Sequence, residues 1–172
     1  MAKRKTALVI VHLSSLDAYT EMGHEVEGDD AGGEDLAFWV ERAIMEHKGP
    51  VYVIDQGWEF HPHWSRPRKG LLDAIRFRKD IAWMRFDEAE EPWDPFLKEF
   101  EKTLRENVVT DVILGGIWFD PQIKGGCVTQ VYSHLKSRFR TKVNRDIVGC
   151  ETDFDESEPP NDYSGPVPAG LS

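Results

Sequence analysis

A chain of 172 residues with 40% hydrophobic and 30% charged residues has the size and mix of one globular domain, able to bury a core without disulfide or metal staples. Its formal net charge of −10 excludes a basic nucleic-acid-binding surface, and no apolar run approaches the roughly 20 residues of a membrane-spanning helix. The basic start MAKRKT precedes an apolar stretch that is too short for a secretory leader and lacks its small-residue cleavage site, so the cytoplasm is the expected location.

Residues 7–13 (ALVIVHL) form a nearly continuous aliphatic run, the pattern of a strand covered on both faces. A polar, acidic loop follows. Leu36, Trp39, Val40, Ala43, Ile44 and His47 then recur at helical spacing, and Gly49-Pro50 stops that helix. Residues 51–54 (VYVI) predict a second strand, closed by Asp55. An aromatic, histidine-bearing stretch (WEFHPHW) comes next, then a helix over 71–77.

Residues 81–86 (IAWMRF) predict a third strand. Phe96, Leu97, Phe100 and Leu104 mark a helix with Asp94 as its N-cap and Pro95 in its first turn. The fourth strand falls within 108–118, and the loop FDPQIKGG leads from it to a helix over 127–137. Val128, Val131, Tyr132 and Leu135 form the apolar face of that helix, and residues 141–148 supply a fifth strand. The segment 151–172 holds six acidic residues, no basic ones and four prolines. This is the composition of a solvated tail, or of one that docks on a neighbouring subunit. The chain thus divides into an α/β body over 1–150 and an acidic, Pro-rich tail over 151–172.

Strands alternating with helices predict a three-layer α/β/α sandwich around a parallel sheet of five or more strands, ordered 3-2-1-4-5. Ligands of such sheets bind outside the carboxyl ends of the strands, which singles out His12, Asp55, Arg85 and the loop from Trp118 to Cys127. Two cysteines, Cys127 and Cys150, make no disulfide framework. Gly125-Gly126-Cys127 stands where a loop enters a helix. Unpaired N–H groups there lower a thiol pKa and can face a developing oxyanion, with Gly126 giving the backbone room to turn. The alternative for Cys127 is a small buried cysteine at a helix start; for His12 it is a hydrogen-bonded histidine at a strand end.

The segments ALVIVHLSS, VYVIDQ, WMRFDEAEEPWDPF, VILGGIW and GGCVTQVYSHLKSRFRTKVNRDIVG resemble, in that order, the successive strands and the nucleophile helix of the isochorismatase-like cysteine hydrolases. The resemblance spans roughly residues 6 to 150. It implies a cysteine hydrolase that cleaves a C–N amide bond in a small molecule through Cys127. The superfamily's aspartate base falls on His12 and its lysine on Arg85, so His12 would accept and return the proton while Arg85 supplies positive charge. Lys124 is a second candidate for the lysine, or a solvated loop residue. Nicotinamidases of the superfamily bind a divalent metal after their second strand. The resemblance therefore offers Asp55, His61 and His63 as ligands for zinc, iron or manganese, with an aromatic loop covering the pocket as the alternative. No other cofactor is indicated.

Trp58 and Trp118, with Phe60, Trp64, Trp83, Trp93 and Phe119, suit either the wall of a small-molecule site or a subunit interface. The family's habit of assembling implies a homo-oligomer. A non-catalytic relative acting as a ligand-binding or assembly module is the second functional reading, since His12 and Arg85 replace the family's aspartate and lysine.

Overall fold

The computed structural model of the chain describes residues 3–16, 34–56, 69–120, 125–149 and 162–167. Five strands, β1 (Thr6–Val11), β2 (Val51–Asp55), β3 (Ala82–Arg85), β4 (Asp111–Ile117) and β5 (Arg140–Gly149), form one sheet in the order β3-β2-β1-β4-β5. Every neighbouring pair is parallel. The helices among the described residues are α1 (Glu34–Glu46), α2 (Lys69–Phe77), α3 (Trp93–Glu106) and α4 (Cys127–Leu135). The architecture and strand order are those expected from the alternation of apolar runs and helical stripes.

The sequence of β1 shows why both faces of the sheet need covering. Successive side chains of a strand point to opposite faces. Ala7, Val9 and Val11 join the core under α3 and α4, together with Leu97, Phe100, Leu104, Val128, Val131 and Leu135. Leu8 and Ile10 join the other core with Leu36, Val40 and Ile44 of α1 and Ala74 of α2. A strand apolar at every position therefore holds two layers of helix at once. Burying each such aliphatic side chain contributes about 1.5–3 kcal/mol, and this is what fixes the layers in place.

Several element ends differ from the sequence expectation, and each has a local cause. The first strand stops at Val11, two residues early. His12 takes the left-handed conformation (φ 57°, ψ 52°) and Leu13–Ser15 form a 3-10 turn. The His12 N–H still donates to Ile54 O (2.9 Å), so the residue stays in line with the end of β2. Helix α3 begins at Trp93 after an extended Pro92, not after Asp94. The Trp93 ring packs on Phe86 (centroids 4.3 Å apart), which sets the helix start there, and Asp94 instead pairs with Lys98 within the first turn.

Residues 162–167, from the acidic segment, lie against the body. Ser164 exchanges backbone hydrogen bonds with Thr141, and the Tyr163 ring packs under Arg140 and Lys142. Two cations of β5, the terminal strand of the sheet, thus engage one aromatic residue of an acidic segment. Among the described residues, no helix is long and apolar enough to cross a membrane.

Since all five strands run the same way, their carboxyl ends share one side of the molecule. β1 has β2 on one flank and β4 on the other, so the crevice where strand order reverses lies beyond β1. His12, Asp55, Phe86 and Trp118 all sit at that rim.

Candidate active site

Cys127 is the first residue of α4, and the local sequence explains how it reaches the rim. Its N-cap, Gly126, has φ 86°, and a Cβ there would lie 2.3 Å from Trp118 O. Only glycine tolerates both the positive φ and the backbone approach. The Asp120 N–H donates to Thr129 Oγ1 (2.8 Å), Asp120 bridges to Gly125, and the Phe119 N–H donates to Gly149 O (3.0 Å). These bonds tie the exit of β4 to the entrance of α4 and leave the Cys127 side chain half-buried beside the end of β1.

The Cys127 thiol donates to Glu88 Oε2 at 2.9 Å. A ring nitrogen of His12, a carboxylate oxygen of Glu88 and Cys127 Sγ all lie within 4.8 Å of one another. The other side of His12 faces Asp55, with Nδ1 3.8 Å from Oδ1, longer than a hydrogen bond. His12 Nε2 is sealed from solvent and has no hydrogen-bond partner among the described residues. Asp55 is fully buried, and both its oxygens accept backbone N–H groups: Oδ2 from Ser14 and Oδ1 from Gln56, each at 2.7 Å. Asp55 therefore fixes the turn after β1 and faces the ring of the residue that opens it.

The electrostatics of the trio correct one expectation. The Cys127 thiol is pushed far above its ordinary pKa, first by burial, then by its hydrogen bond to Glu88 and by the carboxylate's charge. The helix-head position was expected to do the reverse. Partial charges at a helix start are worth about 0.3–1 kcal/mol, and they are overcome here by desolvation and an adjacent anion. The resting group is a thiol with its proton directed at a carboxylate. Burial also pushes the Asp55 carboxyl up, but the facing His12 ring, the Ser14 backbone N–H and the His12 charge outweigh it and hold the pKa below the usual carboxylate value.

His12 and Cys127, both singled out by the sequence, come together. Arg85 is the exposed last residue of β3, in register with Asp55; the group bonded to the thiol is Glu88, three residues further on. Trp118 is half-buried next to Gly126, whereas Trp58, His61, His63, Lys124 and Cys150 lie outside the described residues. Of the metal-ligand set implied by the resemblance, only Asp55 is described. Its two oxygens accept the Ser14 and Gln56 N–H groups, and His61 and His63 lie outside the described residues.

Glu88 escaped the sequence reading because it sits in an acidic run, with Asp87, Glu90 and Glu91, that has the look of a solvated turn. Its one available signal was position: it follows the carboxyl end of β3, within the stretch where the resemblance places a lysine. The Asp55–His12 pairing was legible in principle. In a parallel β1/β2 pair with Val11 opposite Ile54, the next residues of the two strands face each other.

No family profile and no characterised protein sequence matches the chain. Solved structures that share its fold include three amidases. The nicotinamidase from Bacillus subtilis is 15% identical with a TM-score of 0.53, and the match covers 86% of this chain and 88% of that one. The nicotinamidase from Staphylococcus aureus is 13% identical with a TM-score of 0.58, covering 87% of each chain. The pyrazinamidase/nicotinamidase from Streptococcus mutans is 14% identical with a TM-score of 0.54, covering 86% and 89%. At these identities the likeness establishes the α/β fold as that of a distant structural relative.

Proposed function

We propose that the chain is a cysteine hydrolase that cleaves a C–N amide bond in a small molecule, with Cys127 as nucleophile and Glu88 as its general base. The observation that carries this reading is the 2.9 Å hydrogen bond from the Cys127 thiol to Glu88 Oε2 at the carboxyl rim of the sheet. A general base must lie within hydrogen-bond reach of the proton it removes, and Glu88 does. The family pattern that the sequence resembles is altered at both partners of the nucleophile. A histidine follows β1 where the family has an aspartate, and the thiol is met by Glu88, three residues beyond Arg85, the residue that stands at the lysine position.

The steps balance with these groups alone. As Sγ attacks the amide carbonyl carbon, the thiol proton passes to Glu88, and backbone N–H groups at Gly126 and Cys127 receive the oxyanion. Collapse expels the amine, which leaves with the proton from Glu88, and a thioester remains on Cys127. Glu88 then takes a proton from water as its oxygen attacks the thioester. The acid departs and the proton returns to sulfur. His12, facing Asp55, stands beside the sulfur, and a proton on its ring would offset the charge of the forming thiolate.

Because the resting thiol is protonated, slow alkylation of the free protein does not distinguish this reading from a silent binding module. The distinguishing test presents the protein with small primary amides and activated acyl compounds and follows the mass of Cys127. A covalent acyl adduct on Cys127, lost together with turnover in Cys127→Ala, is expected. Turnover that persists in Cys127→Ala would sink the mechanism. The absence of any adduct across the panel would favour the second reading, a ligand-binding module, to which the protonated thiol also lends support.

A further inference from the structure

We propose that His12, Glu88 and Cys127 form a binding site for a thiophilic divalent cation of the zinc type, and that the bound ion holds the nucleophile in a latent state. The inference rests on the same convergence of side chains as the hydrolase reading, but not on turnover. It concerns different residues from the Asp55, His61 and His63 set considered for a metal above.

Three observations support it. The first is donor chemistry: imidazole nitrogen, carboxylate oxygen and thiolate sulfur are the three ligand types that zinc takes in proteins. The second is spacing. The three donor atoms lie within 4.8 Å of one another. Bonds of about 2.0–2.3 Å in a tetrahedron place ligand atoms about 3.3–3.8 Å apart, so the widest spacing must close by about 1 Å while sulfur and carboxylate, now 2.9 Å apart, open slightly. Glu88, exposed on the turn between β3 and α3, is free of the core and can make that adjustment.

The third observation is His12 Nε2, which has no hydrogen-bond partner among the described residues. A buried ring nitrogen without a hydrogen bond is uncommon in a folded protein and calls for an explanation. Asp55 faces Nδ1 at 3.8 Å, so a proton held on Nδ1 would leave the Nε2 lone pair available to an ion. A carboxylate behind a ligating histidine is the usual support of zinc sites. Sulfur and carboxylate now share one proton between two groups that are anionic when bare. A divalent ion would replace that proton, which leaves to solvent, with no change of oxidation state. Three protein ligands would leave the fourth position to water, and with sulfur bound to the ion, attack on a carbonyl is blocked until the ion departs.

The test uses the full chain, freed of metal by a chelator, and Co2+ as a spectroscopic stand-in for Zn2+. One Co2+ per chain is expected, with a thiolate-to-cobalt charge-transfer band in the near ultraviolet that added Zn2+ removes. Cys127→Ser should abolish the band and Cys150→Ser should keep it. Glu88→Gln and His12→Ala should each weaken binding by about tenfold or more. A variant that misfolds would lose the band for an unrelated reason, so the deciding measurement is made on the unaltered protein. Zn2+ should slow the reaction of Cys127 with N-ethylmaleimide, read by peptide mass spectrometry, by about tenfold or more. Cobalt bound without a sulfur band, or equal Cys127 labelling with and without Zn2+, overturns the proposal. Acyl-adduct formation is measured separately with chelator present. An adduct without metal binding removes only the cation site; metal binding without an adduct removes only the hydrolase reading.

Discussion

Glu88 Oε2 accepts the Cys127 thiol proton at 2.9 Å although the two residues follow different strands, β3 and β4, with β2 and β1 between them. The contact exists only because every strand ends on the same side of the sheet. It makes Glu88 the group through which the proposed chemistry is most directly tested.

Replacing Glu88 by glutamine keeps the side chain's shape and an acceptor oxygen but removes its capacity to take a proton. Loss of a general base costs typically 10²–10⁴-fold, so the rate of acyl-enzyme formation in Glu88→Gln should fall by about that range. Glu88 is exposed, and the unfolding midpoint should hardly move. Single-turnover acylation followed by mass spectrometry, alongside a urea melt, separates the two readouts. Acylation at the unaltered rate would reassign the base, with His12 the remaining candidate.

Asp55→Asn tests the second contact at the rim. The buried carboxylate accepts N–H groups on both oxygens, and an amide has only one oxygen to offer. In either orientation an NH2 group meets a backbone N–H at close range without water to intervene. The expected loss is about 1–3 kcal/mol, the usual consequence of a buried unsatisfied group. Urea denaturation reads it directly, and a neutral result would mean that the turn after β1 is not held by Asp55.

How far these features could be read in advance depended on the scale of the physics behind them. The order of strands and helices was legible because burying both faces of a parallel sheet writes a long-range pattern into β1, β2 and β4. Cys127 was legible because a glycine pair at a helix entrance is a local signal. Glu88 was not: its partner lies 39 positions away, and an acid in an acidic turn carries no periodicity. The pKa of Cys127 departs from the sequence expectation for the same reason. The helix start is visible in sequence, whereas the burial and the facing carboxylate that overcome it arise only on folding.

Gly126→Ala probes the close approach that positions the nucleophile. A methyl group at φ 86° would be strained on its own account and would also sit 2.3 Å from Trp118 O. The backbone on one side must therefore move. Strain of this kind costs on the order of 1–3 kcal/mol. The shift also displaces the first turn of α4, so acylation of Cys127 should fall by more than stability alone accounts for. Thermal unfolding and single-turnover acylation on the same sample decide this. Unchanged acylation would show that the position of Cys127 does not depend on the tight packing between Gly126 and Trp118.

The last prediction lies away from the site, where α1 ends beneath the sheet. His47 Nε2 is 2.9 Å from Thr6 O, so the neutral ring donates its proton to that carbonyl. Burial lowers the His47 pKa below 6.5; the Thr6 bond works in the opposite direction, and the nearby Arg78 charge adds to the lowering. A group whose folded pKa is depressed binds fewer protons in the native state than in the unfolded chain. Its contribution to stability is therefore complete above the unfolded value of 6.5 and declines as pH falls from there towards the folded pKa. Urea melts at about pH 7.5 and about pH 5.5 should show the wild-type protein losing more stability than His47→Gln over that interval. Glutamine can still donate to Thr6 O but does not titrate, so the difference between the two slopes belongs to His47. Equal slopes would mean that the ring gains its proton as easily when folded as when unfolded, and that burial at this end of α1 is less complete than its contacts indicate.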